Sequence, residues 1–135
     1  MTMKRQGDIG VAMAIAYYVN KGYNVSVPLT DATRYDLIIE NGLLKRVQVK
    51  STNQFTANGT ARVTLSTQGG NQSWNGIIKR ISADEADLVF VYALDGRMWE
   101  FPVEFCVGKR NITLGRFQKE YEVNLCTGAG TQGTL

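Results

Sequence analysis

Apolar residues recur at helical spacing through residues 5–21, at Ile9, Ala12, Ile15, Ala16 and Val19, and the run ends on Lys21-Gly22, a basic last turn followed by a glycine stop. The pattern predicts an N-terminal helix. The period then changes from helical to alternating: a short strand is expected over residues 24–27, a loop through Pro28 and Asp31, and a strand pair within RYDLIIENGLLKRVQVKST at 34–52. Residues 53–60, NQFTANGT, read as a polar connection, and ARVTLST at 61–67 alternates as a further strand. The stretch TQGGNQSWNG at 67–76 is a loop by its glycine and amide content, and residues 77–86 fit a short helix or an irregular turn. Two more strands, 87–93 and 98–102, flank a turn at Asp95-Gly96, after which Pro102 can open a short helix toward Cys106. RNITLGRF and YEVNL are shorter elements, and residues 128–135 form a Gly-rich flexible tail. No internal repeat or heptad run is present. This order predicts an α/β (α+β) sheet covered at least partly by the first helix.

The strand pair contains two polar positions that break the apolar pattern. Side chains two apart on a strand share a face, so Gln48 and Lys50 project together while Val47 and Val49 project oppositely; Asp36 shares a face with Ile38 and Glu40. A two-residue Asn41-Gly42 turn would pair 40 with 43 and put Asp36 and Gln48 on opposite faces. A loop of Glu40, Asn41 and Gly42, with the glycine in the left-handed region, pairs 39 with 43 and makes Asp36 a diagonal same-face neighbour of Gln48. The expectation is therefore an odd-length turn or a bulge.

With 135 residues, 44% of them hydrophobic, the chain suits one domain with a real core, assigned to residues 1–127. Its net charge of +3 permits an anionic partner without requiring one. No segment has the length of apolar residues that spans a bilayer and no signal-peptide pattern opens the chain, so a cytoplasmic setting is expected. Cys106 and Cys126 lie too far apart for a CxxC motif, which favours free thiols, with a disulfide left open. Histidine is absent. That removes Ser-His-Asp and Cys-His catalysis, His-ligated zinc and histidine-based nuclease chemistry, leaving carboxylates, amides, lysine, hydroxyls and a hard metal ion.

The arrangement of Asp36 followed by Gln48-x-Lys50 resembles the active site of the PD-(D/E)XK nuclease superfamily. KRQGDIGVAMAIAYYVNKGYNVSVPL, RYDLII and RVQVKST, with a weaker echo in ADEADLVFVY, are similar to one branch of it, the compact phage and cyanobacterial intron homing endonucleases. That branch is itself similar to archaeal Holliday-junction resolvases. Tyr35 stands in place of the proline of the family name and Gln48 in place of Glu or Asp, a glutamine that the homing branch tolerates.

The resemblance implies a restriction-endonuclease-like mixed β-sheet core flanked by helices, and a catalytic set of Asp36, Gln48 and Lys50. It further implies a Mg²⁺ (or Mn²⁺) site drawing on Asp8, Asp36, the Gln48 side-chain oxygen and the Val49 carbonyl, a donor set suited to octahedral oxygen coordination. Asp8 serves equally well as a helix-start acid. The implied function is metal-dependent, site-specific cleavage of double-stranded DNA by a homodimer or homotetramer. The alternatives are resolution of branched DNA and a catalytically silent DNA-binding protein.

Basic residues near the site (Arg34, Lys45, Arg46), the strand residue Arg62, and Lys79, Arg80 and Arg110 are candidates for phosphate contact. Arg62 shares its strand face with Thr64 and Ser66. In the amide-rich loop, Asn71 and Gln72 could read base edges. Taken one at a time, most of these residues serve as solvated surface.

Overall fold

The computed structural model describes residues 1–68 and 78–125. Asn71, Gln72, Cys126 and the tail expected at 128–135 lie outside the described residues.

The N-terminal helix α1 runs Met3–Asn20. The Thr2 hydroxyl accepts the Arg5 N–H at its start, and at its end Gly22, at φ +88°, lets the Tyr23 N–H return to the Tyr18 carbonyl. The strands that follow are β1 (Asn24–Ser26), β2 (Leu37–Glu40), β3 (Leu44–Thr52), β4 (Gln54–Phe55), β5 (Ala61–Thr64), β6 (Thr67–Gln68), β7 (Ile78–Lys79), β8 (Leu88–Ala93) and β9 (Met98–Pro102). A one-turn helix α2 (Val103–Cys106), β10 (Asn111–Leu114), a 3₁₀ turn (Arg116–Tyr121) and β11 (Glu122–Val123) complete the described chain. Residues 53–60 thus hold a two-residue strand, and the described part of 77–86 holds β7 and a turn without a helix.

The main sheet has the order β1-β2-β3-β8-β9-β11 and is mixed, because β3 and β8 run parallel while their other pairings are antiparallel. Alternation along the strands sorts the core into two layers. Leu37, Ile39, Val47 and Phe90 pack on Ala14, Tyr17 and Tyr18 of α1. Val89, Val91, Trp99 and Phe101 face the other way, onto Ala61, Val63, Ile112 and Leu114. That second face is covered chiefly by a small antiparallel sheet, β10-β5-β4. None of the described helices is long and apolar enough to cross a membrane.

Helix and sheet come closest at Gly10, where an added Cβ would lie 3.1 Å from the Ser51 Cβ and 3.4 Å from Val49 Cγ1. A branched side chain there must push α1 off β3. Gly10→Val is expected to lower stability by about 1–3 kcal/mol, read as a lower urea midpoint at unchanged slope; an unchanged midpoint would show that the helix can retreat freely.

Candidate active site

The hairpin joining β2 and β3 sets the site. Its loop is Asn41-Gly42-Leu43, with Gly42 at φ +105°, and Glu40 pairs with Leu44. The loop is odd in length, as the sequence required, but it lies one residue further along than expected, so 39 pairs with 45 and 37 with 47. The Asp36 N–H also bonds the Val47 carbonyl (2.8 Å), so two successive residues, Asp36 and Leu37, are set against Val47 in the manner of a bulge. Asp36 therefore does not continue the simple face alternation of β2.

What it does instead follows from the unequal strand lengths. β3 has nine residues and β2 four, so the C-terminal half of β3 extends past β2. On its other side β3 stays paired: the Arg46 and Thr52 carbonyls accept the Asp87 and Leu94 N–H groups, 2.9 Å each. Even-numbered residues of β3 thus bond toward β8, and odd-numbered ones turn their backbone groups to the open edge. Asp36 closes that edge with its side chain, Oδ2 accepting the Val49 N–H at 2.7 Å. The Val49 carbonyl faces the same edge. An acid and a main-chain oxygen are thereby brought together beside Lys50.

The electrostatics are those of charges partly withdrawn from water, both side chains being half-buried. Burial raises the Asp36 carboxyl pKa, against the opposing pull of the Val49 N–H and the Lys50 charge. Burial lowers the Lys50 ammonium, with Asp36 opposing and the Arg34 guanidinium adding to the depression. Two hollows flank the pair. One, about 270 Å³, is lined by Asp36, Val11, Thr30, Asp31 and Tyr35. The other, about 440 Å³, is lined by Lys50, Gln6, Ser51, Thr64 and Ser66 among others.

The remaining sequence candidates divide sharply. Gln48 is half-buried on β3, on the same strand face as Lys50. Asp8 is exposed on α1, one turn before Val11, which lines the hollow on the Asp36 side, while Gln6 lines the hollow on the Lys50 side. Arg46 is committed elsewhere: its backbone N–H and guanidinium bond the Asp87 carboxylate (2.7–3.2 Å) and its Nη1 bonds the Asp84 carbonyl. That network holds the Asp87 carboxyl below the usual range and locks β3 to the start of β8. Arg34 pairs with Glu85 at 3.8 Å, and Arg80 donates to the Gly108 carbonyl. Lys45 sits toward the hairpin end, beside Tyr23 and Glu100 and away from Asp36. Arg62, Lys79 and Arg110 are exposed.

Sequence reasoning missed Gln6 and Asp31. Gln6 was legible from helix phase, since positions 6, 10, 14 and 17 fall on the buried side. Asp31 carried no signal beyond a loop aspartate.

An oxygen-preferring divalent cation would find here the Asp36 carboxylate, raised in pKa by burial, and the Val49 carbonyl on the same edge. Among the described residues no group of three or more acidic, cysteine or histidine ligands exists. This donor set suits an ion that keeps several waters and takes further oxygens from a bound phosphate.

Comparison with solved structures gives a bacterial homing endonuclease, I-Ssp6803I, at TM-score 0.80 and 23% identity, covering 99% of this chain and 97% of that one. MepB follows at TM-score 0.50 and 14% identity, covering 92% and 97%. The fold is restriction-endonuclease-like. No match was found among curated protein sequences. The family model for the PD-(D/E)XK endonuclease matches residues 1–124, which takes in the helix, the Asp36 bulge and the Gln48-x-Lys50 strand together. By that match the chain belongs to the PD-(D/E)XK endonuclease family.

Proposed function

We propose that the chain hydrolyses phosphodiester bonds of double-stranded DNA with Mg²⁺ or Mn²⁺, cutting at a specific site in the manner of a homing endonuclease. The observation that carries this reading is the Asp36 Oδ2 to Val49 N–H bond, which fixes an acid and a carbonyl on the open edge of β3 beside the half-buried Lys50. Family membership and the likeness to a structure described as a bacterial homing endonuclease support it.

Asp36 and the Val49 carbonyl would hold the cation, with Gln48 adding a neutral oxygen from its side chain. A bound divalent ion would neutralise phosphate charge and acidify a coordinated water. Lys50, a point charge held in a low-dielectric site, stabilises the negative charge that builds on the phosphate oxygens during in-line attack. Each chain offers one such site, so cutting both strands takes at least two copies, related by a two-fold axis.

The test is incubation with plasmid, linear duplex and four-way junction, with and without Mg²⁺. Metal-dependent cutting of duplex at one sequence is expected. Symmetric nicks confined to junctions would instead make it a resolvase, and binding without cleavage a silent member of the family.

The neutral Gln48 leaves the metal site short of charge. Gln48→Glu is expected to tighten divalent-ion binding roughly tenfold or more, measured by calorimetry without DNA. No gain would place the Gln48 side chain outside the coordination shell.

A further inference from the structure

The groove on the Lys50 side holds more polar groups than the reaction centre uses. Gln6 is the odd member. It is only 6% exposed, yet its side chain makes no hydrogen bond with any described residue. Its amide atoms are not sealed into the core, since no enclosed side-chain nitrogen or oxygen lacks a partner among the described residues. They open into the groove, whose wall Gln6 forms. Burying a primary amide without a partner is costly, and an apolar side chain would fill the position without that cost. The amide is held ready for something that enters.

The surroundings specify an anion. The groove starts at the first turn of an 18-residue helix, whose N-terminal end carries partial positive charge. Lys50 adds a full positive charge, and Ser51, Thr64 and Ser66 add hydroxyl donors. No carboxylate lines it among the described residues. Neutral amide and hydroxyl donors around one cation bind a phosphate without selecting a base.

We infer that this groove seats a phosphodiester flanking the one that is cut, and that the Gln6 side-chain amide donates to it. The inference rests on the endonuclease reading and deepens it: Gln6 sets the register of the substrate strand so that the scissile phosphate meets Asp36 and Lys50. Gln6 is then a substrate-binding residue and stands apart from the chemical step.

Steady-state cleavage by Gln6→Ala and Gln6→Glu tests this. Loss of the amide should raise KM roughly tenfold while kcat changes little, and the carboxylate of Gln6→Glu should raise it further by repelling phosphate. Thermal unfolding of both variants should match the wild type. A second measurement is independent of turnover: the Gln6 side-chain amide NMR signal, assigned by its absence in Gln6→Glu, should shift when a non-cleavable phosphorothioate duplex is added. If the wild type cuts DNA and neither KM nor the amide signal responds, the subsite is overturned and the endonuclease reading stands. If the wild type cuts no DNA and the signal still shifts, phosphate binding by the groove stands, while its register role and the endonuclease reading fall. No cutting together with an unmoved signal removes both.

Discussion

Asp36→Ala abolishes DNA cleavage, with kcat/KM falling at least ~10³-fold, and Asp36→Asn does nearly the same while leaving the fold intact. The asparagine retains an oxygen that can accept the Val49 N–H but lacks the charge that holds a divalent ion. Stability should move in the opposite direction to activity. Burial raises the Asp36 pKa, so the folded protein binds this proton more tightly than the unfolded chain. The stability this contributes is fully present below the unfolded carboxyl value and is lost as pH rises through the raised folded one. At neutral pH the wild type therefore carries the cost of a buried charge, and Asp36→Asn should be more stable by about 1 kcal/mol. The gap should close in acid, as the wild type takes up its proton. Mg²⁺ should raise the melting temperature of the wild type and leave that of Asp36→Asn nearly unmoved. Thermal melts across pH, with and without Mg²⁺, read all of this. Full cleavage by Asp36→Asn would remove the acid from the mechanism.

That trade between stability and activity is itself part of why the site was visible in the chain. An acid and a lysine interrupting an apolar strand pattern are unfavourable as packing, and the combination of Asp36 with Gln48-x-Lys50 stood out for that reason. The helix and the strands with firm alternation were equally legible, because 3.6- and 2-residue periods are local properties. The requirement for an odd-length hairpin loop was also local, and it held.

What escaped depended on contacts between distant residues. The bulge that redirects Asp36 arises because β2 stops short of β3, and nothing in RYDLII announces where pairing ends. The pairing of Arg46 was hidden too, since the turn before β8 brings Asp87 to it from 41 residues away. The small sheet over the second face forms because β10 pairs with β5, Asn111 opposite Thr64, a partnership no periodicity predicts. The phase of α1, by contrast, was available from the sequence, and it alone places Gln6 on the buried side of the helix.

Lys50→Met is expected to lower cleavage by ~10²–10³-fold with duplex binding largely kept, since one phosphate-facing charge among several contributes little to total affinity. The pH dependence discriminates its role better than the loss itself. Burial lowers the Lys50 pKa, so the wild-type rate should fall on the alkaline side at a pH below the ordinary lysine value of 10.5, and on the acid side through the raised pKa of Asp36. Lys50→Arg, whose guanidinium keeps its proton throughout, should lose the alkaline limb while cutting more slowly, because a planar fork does not replace a compact ammonium. Lys50→Met should also move the acid limb to higher pH, since the Lys50 charge is one of the influences that hold the Asp36 carboxyl down. The stability sign follows the same linkage: a base with a lowered folded pKa contributes stability that is present above its unfolded value and lost as pH falls through the folded one. At neutral pH the half-buried ammonium is thus a cost, and Lys50→Met should melt no lower than the wild type. An acid limb that stays in place in Lys50→Met would mean that the two charges do not communicate, and Lys50 would then act on the substrate alone.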